Sequence, residues 1–178
     1  MKELENKINA FAQAKGKQAI SVLESLLDYI IGYLDPTCTP NKEWKYGKED
    51  NAEFYNMMTT YFQIVERKLA VNFWFDAWGD LFMSLITKGG NKGQFFTPPS
   101  LCNIMSEITL TKEPKAKQRT TFGKRVIIND CSCGSSRNLL AAMAIFNKNG
   151  WMKPYLVAED IDLLCCKMSA VNLSLIHI

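Results

Sequence analysis

The chain has 178 residues, of which 47% are hydrophobic and 22% are charged, and its formal net charge is +3. This composition excludes a wholly disordered chain and is enough for one domain or two small ones. A membrane helix needs an apolar run of about 18 residues, and the sequence contains none. The start of the chain, rich in lysine and glutamate, is not typical of a signal peptide. We therefore expect a protein of the cytoplasm with no membrane partner.

Three stretches in the first half of the chain have apolar residues at helical spacing: residues 2–34, Ala52–Leu69 and Phe73–Thr87. Gly16 is a candidate break in the first stretch, and Asp35-Pro36 ends it. The aromatic and methionine side chains on the apolar faces favour a packed core over a surface on which bases stack. The pattern predicts a helical bundle with no catalytic signature of its own.

A glycine-rich segment, Lys88–Gly93, follows the third stretch and predicts a hinge. We place the boundary there, between a helical N-terminal domain, residues 1–90, and a second domain, residues 91–178. Beyond the hinge, Thr97 is placed to cap a helix from Pro98 to about Ile108. Threonine accepts N–H hydrogen bonds at a helix start, and proline is tolerated in the first turn.

The second domain contains a strand, a tight turn of small residues and a helix. Val126 to Asn129 are strand-like, residues 130–136 form the turn, and an apolar helix is expected from Asn138 to about Phe146. In α/β sheets this pattern holds nucleotide-like cofactors, because small residues let the backbone approach the ligand and free N–H groups at the helix start point toward it. Asp130, at the carboxyl end of the strand, is placed to meet a cation or a hydroxyl of that ligand.

The same pattern has a simpler interpretation. An ordinary buried strand followed by a Gly/Ser turn looks similar, and Gly134 is the turn's single glycine. The turn therefore matches neither the dinucleotide fingerprint of three glycines nor a phosphate loop.

A second buried strand is predicted at Tyr155–Ala158, and it runs into Glu159-Asp160-Ile161-Asp162. A carboxylate at the end of the second strand, roughly 20–30 residues after the glycine turn, usually binds a pair of ribose hydroxyls. The acidic residues could instead favour the dipole of the helix expected at residues 163–175.

Three motifs, in order, resemble those of N6-adenine DNA methyltransferases, and more narrowly the modification subunit of type I restriction systems and its single-chain relatives. Gly93-Gln94-Phe95-Phe96-Thr97-Pro98 is similar to the Gly-Gln-Phe-Phe-Thr-Pro motif of that family. Residues 130–136 resemble its Asp-Pro-x-Cys-Gly-Ser-Gly cofactor motif. Asp160-Ile161-Asp162 resembles its Glu-Ile-Asp segment.

Two shorter likenesses extend the resemblance to about residues 76–178. Asn172-Leu173 is similar to the Asn-Leu that closes the next helix in the family, with Met168 before it. The segment from Asp76 to Phe82 is similar to the one that precedes the first motif.

The resemblance implies an α plus α/β fold, in which an N-terminal helical bundle is followed by the first part of a Rossmann-like sheet that binds S-adenosylmethionine. The 96–98 segment would line the methionine end of the cofactor, the turn would wrap that same end, and Asp160 would bind the ribose. The residues so assigned to the cofactor are Phe96, Thr97, Pro98, Asp130, Cys131, Ser132, Cys133, Gly134, Ser135, Asp160 and Ile161.

The chain departs from the family pattern at two positions of the turn. Cys131 stands where the family has proline, which would loosen the turn. Ser136 stands where it has its final glycine, and a Cβ there would crowd the ligand or forbid a positive φ.

The family's catalytic tetrad, Asn or Asp followed by Pro-Pro and an aromatic residue, is absent: Pro98-Pro99 lies between Thr97 and Ser100. In the family this tetrad holds the target amino group and stacks on the extruded base. The resemblance thus implies the cofactor-binding front part of an N6-adenine DNA methyltransferase of a restriction-modification system, inactive alone, with DNA and specificity or restriction subunits as partners. A non-catalytic interaction module derived from a degenerate methyltransferase is the alternative. Methylation of RNA or of a protein glutamine stays open.

The remaining signals are weaker. The six cysteines match no zinc spacing and are expected to be buried free thiols, so no metal site is predicted. Six cations crowd the span 112–125, which favours a solvated loop over a phosphate-binding surface. Two parallel strands alone leave unpaired edges. We therefore expect the chain to form a homo-oligomer, to cover its edge with a helix, or to leave this part partly disordered.

Overall fold

The computed structural model describes residues 1–35, 37, 46–71, 74–88, 95–115, 118–120 and 123–174. The predicted Lys88–Gly93 hinge therefore lies mostly outside the described residues, as does residue 175 at the end of the last predicted helix. The helices are α1 (Lys2–Ala14), α2 (Ala19–Leu34), α3 (Asn51–Leu69), α4 (Ala77–Lys88), α5 (Pro99–Thr109), α6 (Arg137–Lys148) and α7 (Leu163–Ser174), with a short 3₁₀ turn at Lys48–Asp50. The strands are β1 (Gln118–Thr120), β2 (Gly123–Arg125), β3 (Ile127–Asp130) and β4 (Tyr155–Ala158).

One apolar core joins α1 to α4 with α7. The apolar residues of α2 recur three and four positions apart, so they share one face, and that face is fully buried. Helix α7 adds Cys165, Met168 and Val171 to the same core. The apolar stripes recognised in the sequence therefore do pack inward. Their description as a bundle stays a prediction.

One prediction about the helical half is confirmed, and another needs correction. The break at Gly16 is confirmed, since α1 and α2 are separate helices and Gly16 has φ +61°, a conformation that glycine adopts without strain. The third helix, predicted near Phe73–Thr87, begins only at Ala77, after the non-helical residues 74–76; Phe73 itself lies outside the described residues. The Asp76 carboxylate accepts the N–H of Gly79 at 2.8 Å and so caps the helix.

The predicted capping role of Thr97 is also wrong. Helix α5 begins at Pro99 with Pro98 as its N-cap, and no side chain caps it. The Pro98 carbonyl instead accepts the N–H groups of Leu101 and Cys102. The carbonyl of Thr97 is free to accept a hydrogen bond from elsewhere in the chain.

The sheet is a β3–α6–β4 unit with two parallel strands. Ile127 pairs with Tyr155, and Asp130 pairs with Ala158 at the carboxyl ends. Strands β1 and β2 form a separate antiparallel pair just before β3. The strands and helices thus give a mixed α and α/β fold, while a larger Rossmann-like sheet stays a prediction.

The strands are less buried than predicted. Ile127 is 41% exposed and Tyr155 is 38% exposed, because among the described residues only these two strands build the sheet and its faces are incompletely covered. Helix α5 packs against α6, and a cavity of about 520 Å³ lies between α5 and β3. The expected homo-oligomer, the expected helix over the sheet edge and the expected partial disorder all remain predictions.

The division at residue 90 also stays a prediction, and α7, from the second part, lies within the core of the first. None of the helices in the described ranges is both long enough and apolar enough to cross a membrane.

Candidate functional site

The carboxyl ends of β3 and β4 meet at the turn formed by residues 130–136. The N–H of Glu159 donates to the Asp130 carbonyl at 2.9 Å, and the N–H of Cys133 donates to the Glu159 carbonyl at 2.9 Å. The turn is therefore joined by backbone hydrogen bonds to the chain that leaves β4. Parallel pairing brings about this meeting, because both strands end at the same edge.

Asp160 is in direct contact with the turn. Its Oδ2 accepts the N–H of Gly134 at 2.8 Å, and its Oδ1 accepts the N–H of Asp162 at 2.9 Å. An ionised carboxylate has about four acceptor positions, so two remain for hydroxyl groups of a ligand. The sequence placed Asp160 near the glycine turn, and the structure brings the two together. The ribose-binding role of Asp160 stays a prediction.

Gly134 and Phe96 form a close contact that a larger residue would prevent. Gly134 has φ +54°, and a Cβ there would lie 2.9 Å from two atoms of the Phe96 ring. The same ring stacks on Phe82 with centroids 5.2 Å apart. Phe96, from a motif distant in sequence, is thus held against the turn, and its role in lining the cofactor stays a prediction.

Ser136 corrects one expectation about this turn. The residue is fully buried and adopts φ 68°, so serine does not forbid the left-handed conformation here. Its hydroxyl donates to Ser169 Oγ on α7 at 2.8 Å, and Ser169 Oγ donates to the Gly134 carbonyl at 2.8 Å. These hydrogen bonds help to offset a backbone cost of about 1–2 kcal/mol for a non-glycine residue.

The N–H groups of the turn that precedes α6 are taken by acceptors of the protein itself, while the free N–H groups predicted at the helix start stay a prediction. The N–H of Ser132 donates to Asp130 Oδ1 at 3.2 Å, and that of Ser136 donates to the Cys133 carbonyl at 2.7 Å. The N–H groups of Cys133 and Gly134 are used by Glu159 and Asp160, as above. The strand-end carboxylates and carbonyls lie close enough to take these donors, so a ligand would meet acceptors more than donors at residues 132–134.

Sequence reasoning missed a buried polar network beside the turn. Asp76 Oδ2 accepts Arg137 Nε at 2.7 Å and Ser135 Oγ at 2.5 Å, and Asp76 Oδ1 accepts Asn172 Nδ2 at 2.8 Å. Arg137 Nη2 donates to Asp80 Oδ1 at 2.8 Å. Asp76, Asp80 and Asn172 lie in segments that resemble the family, which was the available signal. Arg137 had none.

The charges at the turn are mostly negative. Asp130, Glu159, Asp160 and Asp162 lie at or just beyond the ends of β3 and β4. Arg137, the cation directly after the turn, is neutralised by Asp76 and Asp80. Burial raises the pKa of the Asp80 carboxyl, and the charge of Arg137 opposes that rise. Such a site favours a cationic ligand with hydroxyl groups over a phosphate.

The cavity between α5 and β3 opens beside Asp130. Asp130 Oδ2 accepts Asn138 Nδ2 at 3.2 Å, while Asn138 Oδ1 is buried without a partner among the described residues. Met105 and Ile128 contribute apolar lining. The cavity thus combines apolar walls with a polar end at the turn.

The other predicted residues occupy different surroundings. Cys131 and Ser132 are exposed on the turn, and Cys133 is buried, which raises the pKa of its thiol. Ser135 is buried against Asp76 and so faces the protein. Pro98 and Ile161 are exposed. The cofactor roles of all these residues stay predictions.

The sequence model of one protein family, N-6 DNA methylase, matches residues 76–178, which is more than half of the chain. The chain belongs to the N-6 DNA methylase family. The family resemblance inferred from the motifs is therefore confirmed, and the match begins at Asp76, the carboxylate at the centre of the buried network. No curated protein and no solved structure matches the chain. Membership implies methylation of DNA, and the family generally uses S-adenosylmethionine.

Proposed function

We propose that this N-6 DNA methylase binds S-adenosylmethionine at the corner between β3 and β4 and serves the methylation of adenine N6 in DNA. The observation that carries the proposal is the 2.8 Å hydrogen bond between the Asp160 carboxylate and the N–H of Gly134. It joins the acid after the second strand to the glycine turn, where a nucleoside and its side chain can be held together.

The chemistry of the corner suits this cofactor. S-adenosylmethionine carries a sulfonium, an ammonium and a ribose diol, and it supplies the methyl group when bound. The acids at the strand ends, which are at least partly exposed, and the carbonyls of the turn complement the two cations. The vacant acceptor positions of Asp160 suit the diol.

Each part of the corner has a distinct role in this proposal. Asp160, beside Ile161, holds the ribose. Asp130 meets the cationic end, and the turn to Ser135 encloses the methionine portion. Phe96, Thr97 and Pro98 line the same portion from the side of α5. The Phe96 ring lies against Gly134 and excludes water from its backbone. A side chain at position 134 would displace the ring.

Isothermal titration calorimetry with S-adenosylmethionine tests binding. The titration should release or absorb heat, and the curve should fit one binding site per chain. No heat at millimolar ligand would contradict the proposal. Asp160→Ala should weaken binding by about 1–3 kcal/mol, because hydrogen bonds to a charged acceptor are lost. Glu66→Gln is the control: it removes an exposed carboxylate from α3, outside the corner, and affinity should stay near that of the wild type.

A second ligand separates ribose binding from support of the turn, since Asp160 also holds Gly134. The 2′,3′-dideoxy analogue of S-adenosylhomocysteine lacks the hydroxyls. If Asp160 binds them, Asp160→Ala should weaken binding of S-adenosylhomocysteine more than binding of the analogue. Equal losses for both ligands would assign Asp160 to the turn alone.

Methyl transfer itself needs more than this corner. The 178 residues contain no Asn/Asp-Pro-Pro-aromatic tetrad, so we expect cofactor binding without turnover from this chain alone. Transfer of a labelled methyl group to adenine-containing DNA by the chain alone would contradict this. A role in a restriction-modification system, with specificity or restriction subunits, belongs to the same proposal.

The missing tetrad also favours a second candidate, a non-catalytic interaction module derived from a methyltransferase. The two candidates differ in one measurement. The module needs no cofactor, so micromolar binding of S-adenosylmethionine supports the methyltransferase role. RNA or a protein glutamine as the methyl acceptor would leave the cofactor experiments unchanged.

A further inference from the structure

Arg137, the first residue of α6, is a buried cation whose side chain donates in three directions. Nε donates to Asp76 Oδ2 at 2.7 Å, Nη2 donates to Asp80 Oδ1 at 2.8 Å, and Nη1 donates to the carbonyl of Thr97 at 3.1 Å. The residue is 6% exposed. Its planar guanidinium can reach three acceptors at once, which a lysine ammonium on a single stem does with poorer geometry.

Asp76 fixes Arg137 in place because it is itself fully engaged. Its two oxygens accept four donors, from Gly79, Ser135, Arg137 and Asn172. A Cβ at Gly79 would collide with Asp76 and with Ser135 Oγ, so this packing needs glycine at position 79. The arginine is therefore oriented by a carboxylate that is held by three other donors, and its Nη1 is directed to the carbonyl of Thr97.

The bond to Thr97 joins two separate parts of the corner. Thr97 follows Phe96, whose ring covers Gly134, and it precedes α5. Arg137 follows directly after the turn that contains Gly134 and Ser135. Within the described part of the chain, the one other donor to the Thr97 carbonyl is the weaker Cys102 thiol at 3.7 Å.

We propose that Arg137 is a positioning residue of the cofactor site, which holds the Phe96–Thr97 segment against the Gly134 turn through the Thr97 carbonyl. This inference rests on the proposed function, in which that segment and that turn enclose the methionine end. Arg137 is buried and its side chain donates to Asp76, Asp80 and Thr97, so in this inference it acts through the Thr97 carbonyl.

A second buried cation shows what a purely structural role looks like. Lys167 on α7 donates to Glu24 at 3.0 Å and to Asp28 at 2.9 Å, both on α2. It is 8% exposed, close to the value for Arg137. None of its recorded partners belongs to the turn or to the 95–98 segment. Lys167→Met is therefore a matched control.

The first measurement is hydrogen–deuterium exchange of the cofactor-free chain. Arg137→Lys retains a positive charge beside Asp76 but loses the fork that reaches Thr97. Exchange should rise in a peptide that covers residues 95–102, while peptides of α2 and α3 stay as in the wild type. Lys167→Met should leave residues 95–102 unchanged. Exchange in 95–102 that equals the wild type in Arg137→Lys would overturn the inference.

The second measurement is calorimetric binding of S-adenosylhomocysteine. Arg137→Lys should lower affinity by at least about tenfold, the usual effect of losing a charge-assisted hydrogen bond that orders a site. Lys167→Met should bind as the wild type does at a temperature where it is folded. Equal affinities for wild type and Arg137→Lys would also overturn the inference.

The two measurements distinguish a failure of the proposed function from a failure of this inference. If the wild type does not bind S-adenosylhomocysteine, the proposed function fails, and exchange at 95–102 alone decides whether Arg137 positions the segment. If Arg137→Lys does not fold, Asp80→Asn replaces it, because the Asp80 side chain is 48% exposed and its loss should be tolerated. That variant should raise exchange at 95–102 and lower affinity about threefold, and no change in either would overturn the inference.

Discussion

The helical region and the corner region are held together by different forces. The helical region, α1 to α4 with α7, packs fully buried aliphatic and aromatic side chains against one another. The corner region, residues 95–162, has a much smaller apolar cluster around Leu140 and Met143. Its central contacts are hydrogen bonds and ion pairs, and it leaves Ile104, Ile108 and Ile127 exposed.

Because of this difference, the helical region mainly determines the stability of the fold, and the corner region determines the geometry of the ligand site. Apolar burial is non-directional and scales with area, so the helical region supplies most of the folding free energy. Hydrogen bonds fix distances and directions, so the corner defines a shape. Helix α7 belongs to both regions: Met168 and Val171 enter the apolar core, and Ser169 and Asn172 bind the turn.

The largest effect should come from Asp76→Ala. The change leaves the Arg137 guanidinium buried with only Asp80 as an ionic partner, and removal of one member of a buried ion pair costs about 3–5 kcal/mol. We expect denaturant unfolding to show this loss of stability. Because Asp76 also holds Ser135 and Asn172, affinity for S-adenosylhomocysteine should fall as well.

Leu26→Ala is the matched change in the other region. Leu26 is fully buried in α2, and its truncation should cost about 2–5 kcal/mol through lost burial and a cavity. Folded molecules of this variant should bind cofactor as the wild type does. If both variants lost affinity in proportion to stability, the proposed separation of the two regions would be wrong.

A pair of glycine variants, one in each region, should have effects on stability of intermediate size. Gly16 and Gly134 both have positive φ, but a Cβ at Gly16 has no atom within 4 Å, whereas one at Gly134 meets the Phe96 ring. Gly16→Ala should therefore cost about 1 kcal/mol from backbone strain alone. Gly134→Ala should cost about 2 kcal/mol or more, since the Phe96 ring must also move.

Thermal unfolding and cofactor titration together check this pair. Gly134→Ala should lose affinity and Gly16→Ala should keep it. Retained affinity in Gly134→Ala would show that the Phe96 contact has no part in binding.

The smallest effect concerns Lys167, which links α7 to α2. Burial alone would lower its pKa, but hydrogen bonds to Asp28 and Glu24 outweigh burial and raise the pKa above 10.5. A base with a raised pKa contributes stability that is present below its ordinary pKa and is lost as pH rises through the folded value. The contribution, about 1 kcal/mol, should therefore persist at neutral pH and disappear above about pH 10.5.

Unfolding of wild type and Lys167→Met at a series of pH values isolates this contribution. The difference in unfolding free energy should be constant near neutral pH and shrink only in strong alkali. A difference that already shrinks between about pH 7 and 9 would contradict the raised pKa.

The sequence predicted the parts of the corner that follow from local pattern. The strand, the small-residue turn, the helix and the second strand were placed correctly, because apolar runs and glycine determine them. The contact between Asp160 and the turn followed from the same pattern, because parallel strands end at the same edge of the sheet. Thr97 was misplaced as a cap, since its role depends on Arg137, forty residues later. The network of Asp76, Arg137 and Asn172 has no local pattern, because its members meet only in the folded chain.

The contact between Asp76 and Asn172 has a consequence for how the protein is made. The two residues are 96 positions apart, and Asn172 also binds the Ser135 carbonyl. A ribosome must release the chain through Asn172 before the last of these hydrogen bonds can form. Helices α1 to α4, rich in local contacts, can assemble earlier. Newly made chains should therefore pass through a stage in which the helices are packed while the turn still lacks its support from α7.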